Sequence, residues 1–525
     1  MHRAAAAFAL PGVLLVALQA CSSTDGSSPL VVPGDAAPEA FSDDSTVSEA
    51  GGAGGSNTGP DGSTTDADAE DAASDAAPPD GNGGDDAVVP PWDGGPDPCG
   101  EVDAFVPVFP DVVATWSAQD DLGGWPDSPL VVTGSSSIRR WETLARSYTD
   151  YAPLQRGMGG AQLGEIAYFA EELVARHDPR AVVVYAGTND IHAGVSPNVV
   201  VDRLRCLRYR IGAKLGWTRP VLFVAITPNP SRWAEWPASA EVNAAVAALA
   251  EVDPGLVYVD VATAFLATGS PPDDSLFVAD GLHLSPSGYA LWNSVIRPAV
   301  EAAAAPTPQP VAPVPALTPG TRILVDLGPS NPEDGEQTPS PDYRGQHWNN
   351  WHALEGGVDV LPGEQIIDLV ASDGAATGVD LVVAGGFQAN GRSNGGLLWP
   401  DPALLGDLAV GSATGDFFYA AGDDVPGALF FRGLDPNHTY TLRLFAARDD
   451  VETRRTRYTV QGTDTAFATL QTSGSGAGKE GKTTNDDDIV TFAGVRPDPW
   501  GHLFLDVSIE QGSYAYLSLL ELSVD

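Results

Sequence analysis

Residues 181–190 read AVVVYAGTND, and this stretch decides the fold of the first half of the chain. Ala181 to Ala186 is a continuous apolar run, as expected of a strand buried on both faces, and the small and polar residues after it form a turn. The same grammar extends in both directions. Pro129 to Thr133 is a short strand, followed by a helical stretch at Trp141 to Tyr148 and an amphipathic helix at Ala161 to His177. Downstream come a helix at Val199 to Leu215, a strand at Val221 to Ile226, a helix at Ala238 to Ala250, a strand at Leu256 to Val261 and a closing helix at Pro286 to Ala304. This alternation implies a parallel sheet covered by helices on both sides.

The chain is 525 residues long, too long for one hydrophobic core. Residues 22–97 hold 17 acidic side chains and no Lys or Arg, with few large apolar residues. Such a segment cannot bury enough surface to offset its conformational entropy and reads as a disordered, acidic tether. A second break spans Ala302 to Pro319, with prolines at 306, 308, 310, 313, 315 and 319, and its core at 305–319 reads as an extended linker. The expected folded regions are therefore 98–304 and 320–525. The second has segments that favour strands at Arg322 to Leu327, Gly378 to Val383, Thr439 to Phe445, Tyr458 to Gln461 and Tyr516 to Val524. Gly, Asp, Asn and Pro turns separate them, which predicts an antiparallel, jelly-roll-like all-β sandwich.

The first twenty residues carry a basic start, His2 and Arg3, and an apolar run from Ala4 to Ala17 that is too short for a comfortable membrane span. Leu18-Gln19-Ala20-Cys21 resembles the lipobox of bacterial lipoproteins. That resemblance implies residues 1–21 as a signal peptide, cleavage before Cys21 and lipidation of its thiol. Ser22 after the cysteine favours, by analogy, the outer membrane. The alternative is an ordinary signal peptide that contains a cysteine. Either way the expected protein is exported, and in the first case anchored to the envelope rather than spanning it.

The net charge of −43 argues against a nucleic-acid partner, and no basic patch offsets it. Besides Cys21 the only cysteines are Cys99 and Cys206. An exported protein can join them, or they remain two thiols with Cys206 buried on a helix. No Cys/His cluster has metal-ligand spacing, so neither metal nor cofactor is expected.

In an open parallel sheet, ligands sit beyond the carboxyl ends of the strands, where strand order reverses. Three groups lie at such ends: Gly134-Ser135-Ser136-Ser137-Ile138, Gly157-Met158-Gly159-Gly160 and Gly187-Thr188-Asn189-Asp190. A strand order of 2-1-3-4-5 would bring them together. A fourth group, Asp280-Gly281-Leu282-His283, precedes the last helix. Asp and His three apart share one turn, so the carboxylate can hold the imidazole tautomer while the other ring nitrogen faces a serine. A serine hydroxyl needs such a base to become a nucleophile. A backbone N–H at Gly160 and the amide of Asn189 can serve as oxyanion donors. Each piece alone is an ordinary turn; together they supply nucleophile, base, orienter and two donors in one order.

Residues 130–295 resemble the SGNH (GDSL-like) hydrolases. GSSSIRRW at 134–141 is similar to the first marker block, RGMGG at 156–160 to the second, YAGTND at 185–190 to the third, and Asp280 to His283 with Gly288-Tyr289 to the last. The resemblance implies a flavodoxin-like three-layer α/β/α domain. It implies Ser136 as nucleophile, Asp280 and His283 as its triad partners, and Ser136, Gly160 and Asn189 as the oxyanion hole. Two departures stand out: Ser135 replaces the usual Asp of the first block, and Gln155 stands where Asn often precedes the second. An α/β-hydrolase also runs Ser, acid, His, but Ile138 occupies the place of the last glycine of its Gly-x-Ser-x-Gly motif.

The second region resembles, more loosely, the galactose-binding-like sandwiches and carbohydrate-binding modules of secreted hydrolases. Tyr343, His347, Trp348 and Trp351 lie beside Asn349 and Asn350. Trp348, Asn349 and Tyr343 are the candidate glycan-binding residues; the alternative is that the aromatics fill the sandwich core. The expected function is hydrolysis of a carboxylic ester of an acylated small molecule or polysaccharide, with deacetylation of a carbohydrate in front. A lipase or general acyl esterase, and a non-catalytic glycan-binding surface lipoprotein, are the alternatives. The loops at Pro228 to Trp236 and Ala267 to Ala279 are expected to set substrate choice.

Overall fold

The computed structural model describes residues 97–308, 317–329, 334–353, 359–422 and 426–525. The segment expected to be a signal peptide, Cys21, nearly all of the expected acidic tether and the middle of the expected proline-rich linker lie outside these residues. No helix among the described residues is long and apolar enough to cross a membrane.

The first region is built on five parallel strands: β1 (Leu130–Gly134), β2 (Pro153–Gly157), β3 (Ala181–Tyr185), β4 (Val221–Val224) and β5 (Leu256–Val259). Their order is β2-β1-β3-β4-β5, as the site hypothesis requires. Successive side chains point to opposite faces. Val131, Val182, Val184, Val221 and Phe223 enter one core, and Leu130, Val132, Val183, Leu222 and Val224 enter the other. Two apolar faces need two helical layers. The helices Pro197–Leu215 and Trp236–Ala250 contribute to the first core, and Pro286–Ala303 to the second. The register sets Gly134 opposite both Gly157 and Tyr185, so the three following loops leave the sheet at one edge.

Several local expectations change. The helix expected over 161–177 is broken into Leu163–Tyr168, Ala170–Leu173 and a single 3-10 turn at Ala175–His177. Arg210 donates to the carbonyls of Ala167 (2.8 Å) and Tyr168 (2.9 Å), and so competes with continued helical bonding there. Only Leu144–Ser147 of the stretch from Trp141 to Tyr148 is α-helical. The strand expected to reach Val261 stops at Val259, because Asp260 caps a helix over Val261–Leu266 by accepting from the Thr263 N–H at 3.0 Å.

The second region is all β, in sheets of six, five and four strands. Among the described residues, pairing is antiparallel except between Arg322–Pro329 and Asn349–Ala353, which run parallel. The strand expected over 516–524 is two, Tyr514–Leu517 and Leu519–Val524, which pair in different sheets on either side of Ser518. One core spans the sheets, with Leu327, Phe417, Tyr440, Tyr458 and Leu505 in it.

The two folded regions share a small apolar cluster: Ala145 from the first with Val382, Ala384, Ala428, Phe430 and Phe504 from the second. Polar contacts surround it. Arg146 pairs with Asp506 at 2.5 Å, and the fully buried Arg156 donates to Asp120 at 2.7 Å and to the Gly363 carbonyl at 3.0 Å. Arg139, three residues after Ser136, pairs with Asp359.

Candidate active site

The turn after β1 begins at Gly134, whose φ of 151° and packing both demand glycine. A Cβ there would lie 2.0 Å from the Tyr185 carbonyl, which accepts the Ser135 N–H at 3.0 Å. Three serines follow, and burial separates them. Ser135 and Ser137 are buried, while Ser136 is half-buried at the head of the short helix Ser136–Arg139. Gln155 supports this helix, its amide donating to the Ile138 carbonyl at 2.5 Å. The Tyr289 hydroxyl donates to the Ser137 carbonyl at 2.8 Å.

Ser136 Oγ lies 2.8 Å from His283 Nε2, and His283 Nδ1 lies 2.6 Å from Asp280 Oδ2. A carboxylate only accepts, so Nδ1 carries the ring proton and Nε2 receives the serine hydroxyl. The turn itself holds Asp280. Its Oδ1 accepts the backbone N–H groups of Leu282 (2.8 Å) and His283 (2.9 Å), which leaves Oδ2 for the imidazole. Burial pushes the Asp280 carboxyl up, but these hydrogen bonds outweigh it and hold the group below its ordinary range. Burial lowers His283; its hydrogen bond to Asp280 opposes that, and the cations Arg140 and Arg232 add to the lowering. The lowering favours the neutral imidazole that a general base would need.

The second and third groups reach the same edge. Met158 N–H donates to the Gly134 carbonyl at 2.9 Å, tying the glycine loop to β1. The loop's next hydrogen bond runs from Ala161 to Met158 at 3.2 Å and does not use the Gly160 N–H. Gly160 is exposed, and a Cβ on it would meet nothing. Its φ of 82°, rather than crowding, is what calls for glycine. Asn189 donates from Nδ2 to the Ala161 carbonyl at 3.1 Å, which places its amide beside Gly160. The neighbouring Asp190 is fully buried and accepts from Leu163 N–H at 2.9 Å and from Arg203 at 2.7 Å, anchoring this loop to the helix Leu163–Tyr168. The Ser136 N–H belongs to the first turn of its helix and has no intrahelical acceptor.

The segment after β4 closes the site between Asn189 and the Asp280 turn. Ser231 N–H donates to the Gly281 carbonyl at 3.0 Å, and Arg232 donates to Asn189 Oδ1 at 2.9 Å. Next come Trp233 and Trp236, half-buried and stacked with ring centroids 6.3 Å apart and planes 7° apart. Arg232, Trp233 and Trp236 belong to the loop at Pro228 to Trp236 that the sequence marks for substrate choice, but nothing in its local pattern assigns them individual roles, and the same holds for Arg140.

The candidate glycan residues of the second region are placed differently. Trp348 is 2% exposed and packs among Leu324, Leu405 and Phe445, its indole N–H donating to Asp342 at 3.0 Å. The Asn349 amide donates to the carbonyls of Leu324 and Val370, both at 2.9 Å. Neither offers a face to a ligand, so the glycan expectation for them gives way to the core alternative. Tyr343 is 74% exposed, with Arg344 against its ring. Cys99 and Cys206 form a disulfide. No cluster of three metal-ligating side chains occurs among the described residues.

Residues 122–291 match the family model described as the GDSL-like lipase/acylhydrolase family. A search of curated proteins finds no match. Among solved structures, a GDSL-like lipase from Bacteroides thetaiotaomicron is similar at 16% identity, over 36% of this chain and 98% of that one, with a TM-score of 0.32. A putative acylhydrolase from Bacteroides fragilis is 19% identical, over 36% and 94%, with a TM-score of 0.32. A variant of an acetyl-xylooligosaccharide esterase from a Geobacillus is 14% identical, over 34% and 94%, with a TM-score of 0.29. By the family match, residues 122–291 form a GDSL-like hydrolase domain, and the protein is an enzyme acting on ester bonds.

Proposed function

We propose that the protein is an exported esterase that removes short acyl groups, foremost acetyl, from a carbohydrate through an acyl-enzyme on Ser136. The observation that carries this reading is the unbroken chain from Ser136 Oγ through His283 to Asp280, at 2.8 and 2.6 Å. His283 Nε2 takes the Ser136 proton as Oγ attacks the ester carbonyl, and Asp280 stabilises the imidazolium that forms. The Ser136 N–H, the Gly160 N–H and the second Asn189 amide hydrogen receive the oxyanion. His283 then gives its proton to the departing alkoxide. In the second half, His283 activates water, which releases the acid and restores the serine.

The stacked Trp233–Trp236 pair, in the segment whose Ser231 is tied to the Gly281 carbonyl, favours a flat apolar face, such as that of a sugar ring, on the alcohol half of the ester. The Cys99–Cys206 disulfide supports an oxidising compartment, and the Leu18–Cys21 motif supports lipid anchoring there.

The test is turnover of a chromogenic acetyl ester by the full chain. Ser136→Ala is expected to lower kcat by about 10⁴-fold or more with folding unchanged. Equal turnover by wild type and variant overturns the reading. A preference for long acyl chains over acetyl would move it to a lipase or general esterase, and acetylated polysaccharides then test the carbohydrate half. Cys21→Ser is expected to move the protein from the membrane to the soluble fraction; unchanged membrane association refutes the anchor.

A further inference from the structure

Asn189 can serve as an oxyanion donor only if its amide nitrogen, rather than its oxygen, faces the reacting carbonyl. An asparagine amide is nearly symmetric in shape, so rotation by half a turn would present an acceptor there and repel the oxyanion. Two contacts decide between the orientations. The Ala161 carbonyl can only accept, and it lies 3.1 Å from Nδ2. The Arg232 guanidinium can only donate, and its Nη1 lies 2.9 Å from Oδ1 and 3.3 Å from the Thr188 carbonyl. A flipped amide would lose both bonds and set a donor against a donor.

We infer that Arg232 is a positioning residue for the reaction, which locks the Asn189 amide with its nitrogen towards the oxyanion. The inference rests on Asn189 being a donor in the proposed reaction. Arg232 itself is held in place: its backbone N–H donates to Asn229 Oδ1 at 2.9 Å, and the Ser231 N–H beside it donates to the Gly281 carbonyl. The lock is therefore built from the β4 loop and joins the oxyanion donor to the turn that carries Asp280 and His283. A planar, permanently charged fork suits this task better than a lysine ammonium, which makes a point contact on a flexible stem. The same cation lies close enough to His283 to oppose its protonation, together with Arg140 and against Asp280.

The experiment is a double-mutant cycle on acetyl-ester turnover, with thermal unfolding measured on every variant. Asn189→Ala is expected to lower kcat by about 100- to 1,000-fold, as loss of an oxyanion donor does. Arg232→Met is expected to lower kcat by about 10- to 100-fold, because the amide is misoriented rather than absent, with KM changed less than about threefold. Arg232→Lys is expected to fall between wild type and Arg232→Met, and it carries the test if the Met variant fails to fold. The double variant is expected to be no slower than Asn189→Ala alone. The acid limb of kcat/KM should also move to higher pH in Arg232→Met and stay in place in Arg232→Lys. Wild-type kcat in both folded Arg232 variants, or losses that multiply in the double variant, overturns the inference. If Asn189→Ala keeps wild-type turnover, its role as donor falls and the inference with it. If Asn189→Ala is impaired and Arg232→Met is not, only the inference falls.

Discussion

The two folded regions treat a cluster of suggestive residues in opposite ways. In the α/β region, Ser136, Gly160, Asn189, Asp280 and His283 are spread over almost 150 residues of sequence, yet hydrogen bonds tie the groups together at one edge of the sheet. In the sandwich, Trp348 and Asn349 are neighbours in sequence, yet both turn inward and are used up by Asp342, Leu324 and Val370. The difference lies in where each cluster sits on its sheet, at the strand ends in one region and beside or within a strand in the other. Parallel strands all deliver their following loops to the same edge, so the order of motifs along the chain already implies convergence. In a sandwich, successive side chains alternate between core and solvent, and a local cluster carries no statement of which side it takes.

The largest expected effect that would break this comparison is on the sandwich side. Trp348→Ala should cost about 3–5 kcal/mol of stability, as loss of a buried tryptophan does, while kcat of the folded protein stays unchanged. Urea unfolding beside acetyl-ester turnover checks this. Lost glycan binding with unchanged stability would reverse the assignment.

A smaller effect tests the join between the regions. Glu364 is buried there, accepting from the Leu361 N–H at 2.9 Å, and burial pushes its carboxyl up to about 7. Between its ordinary value of 4.5 and about 7, the folded protein keeps a proton that the unfolded chain releases. Its contribution is therefore full below that window, falls as pH rises through it, and is lost above about 7. Glu364→Gln, neutral throughout, should flatten this dependence and gain up to about 3 kcal/mol over wild type at pH 8. Unfolding at pH 5 and pH 8 gives the answer; an unchanged slope rejects it.

The smallest effect sharpens the site. His283 is held below the ordinary imidazole value by burial first and then by Arg140 and Arg232. The acid limb of kcat/KM should thus lie below that value, because activity is lost only when the base is protonated. Arg140→Met removes one cation and should move the limb to higher pH. A limb that stays put would show that Arg140 does not act on the base.

Much of this architecture was legible in the sequence. Pro129 to Thr133 reads as a short strand and the apolar run Ala181 to Ala186 as a strand buried on both faces, and the register of β1 with β2 and β3 aligns their ends. The break after Tyr168 was not legible, because it depends on Arg210, more than forty residues away, taking the carbonyls at 167 and 168. The same holds for Arg156, whose contact with Gly363 spans 207 residues.

The sequence by itself determined the alternation of strands and helices, the order of the four site groups and the small residues that their turns require. Periodicity and turn chemistry are local, and local pattern is what a sequence states directly. Only the tertiary structure decided that Ser136, not Ser135 or Ser137, meets His283, and that the Trp348 ring is core. It alone set Arg232 against Asn189, 43 residues apart. Each of those outcomes depends on which face a side chain takes and what packs against it. Contacts distant in the chain fix that, and no nearby residue encodes it.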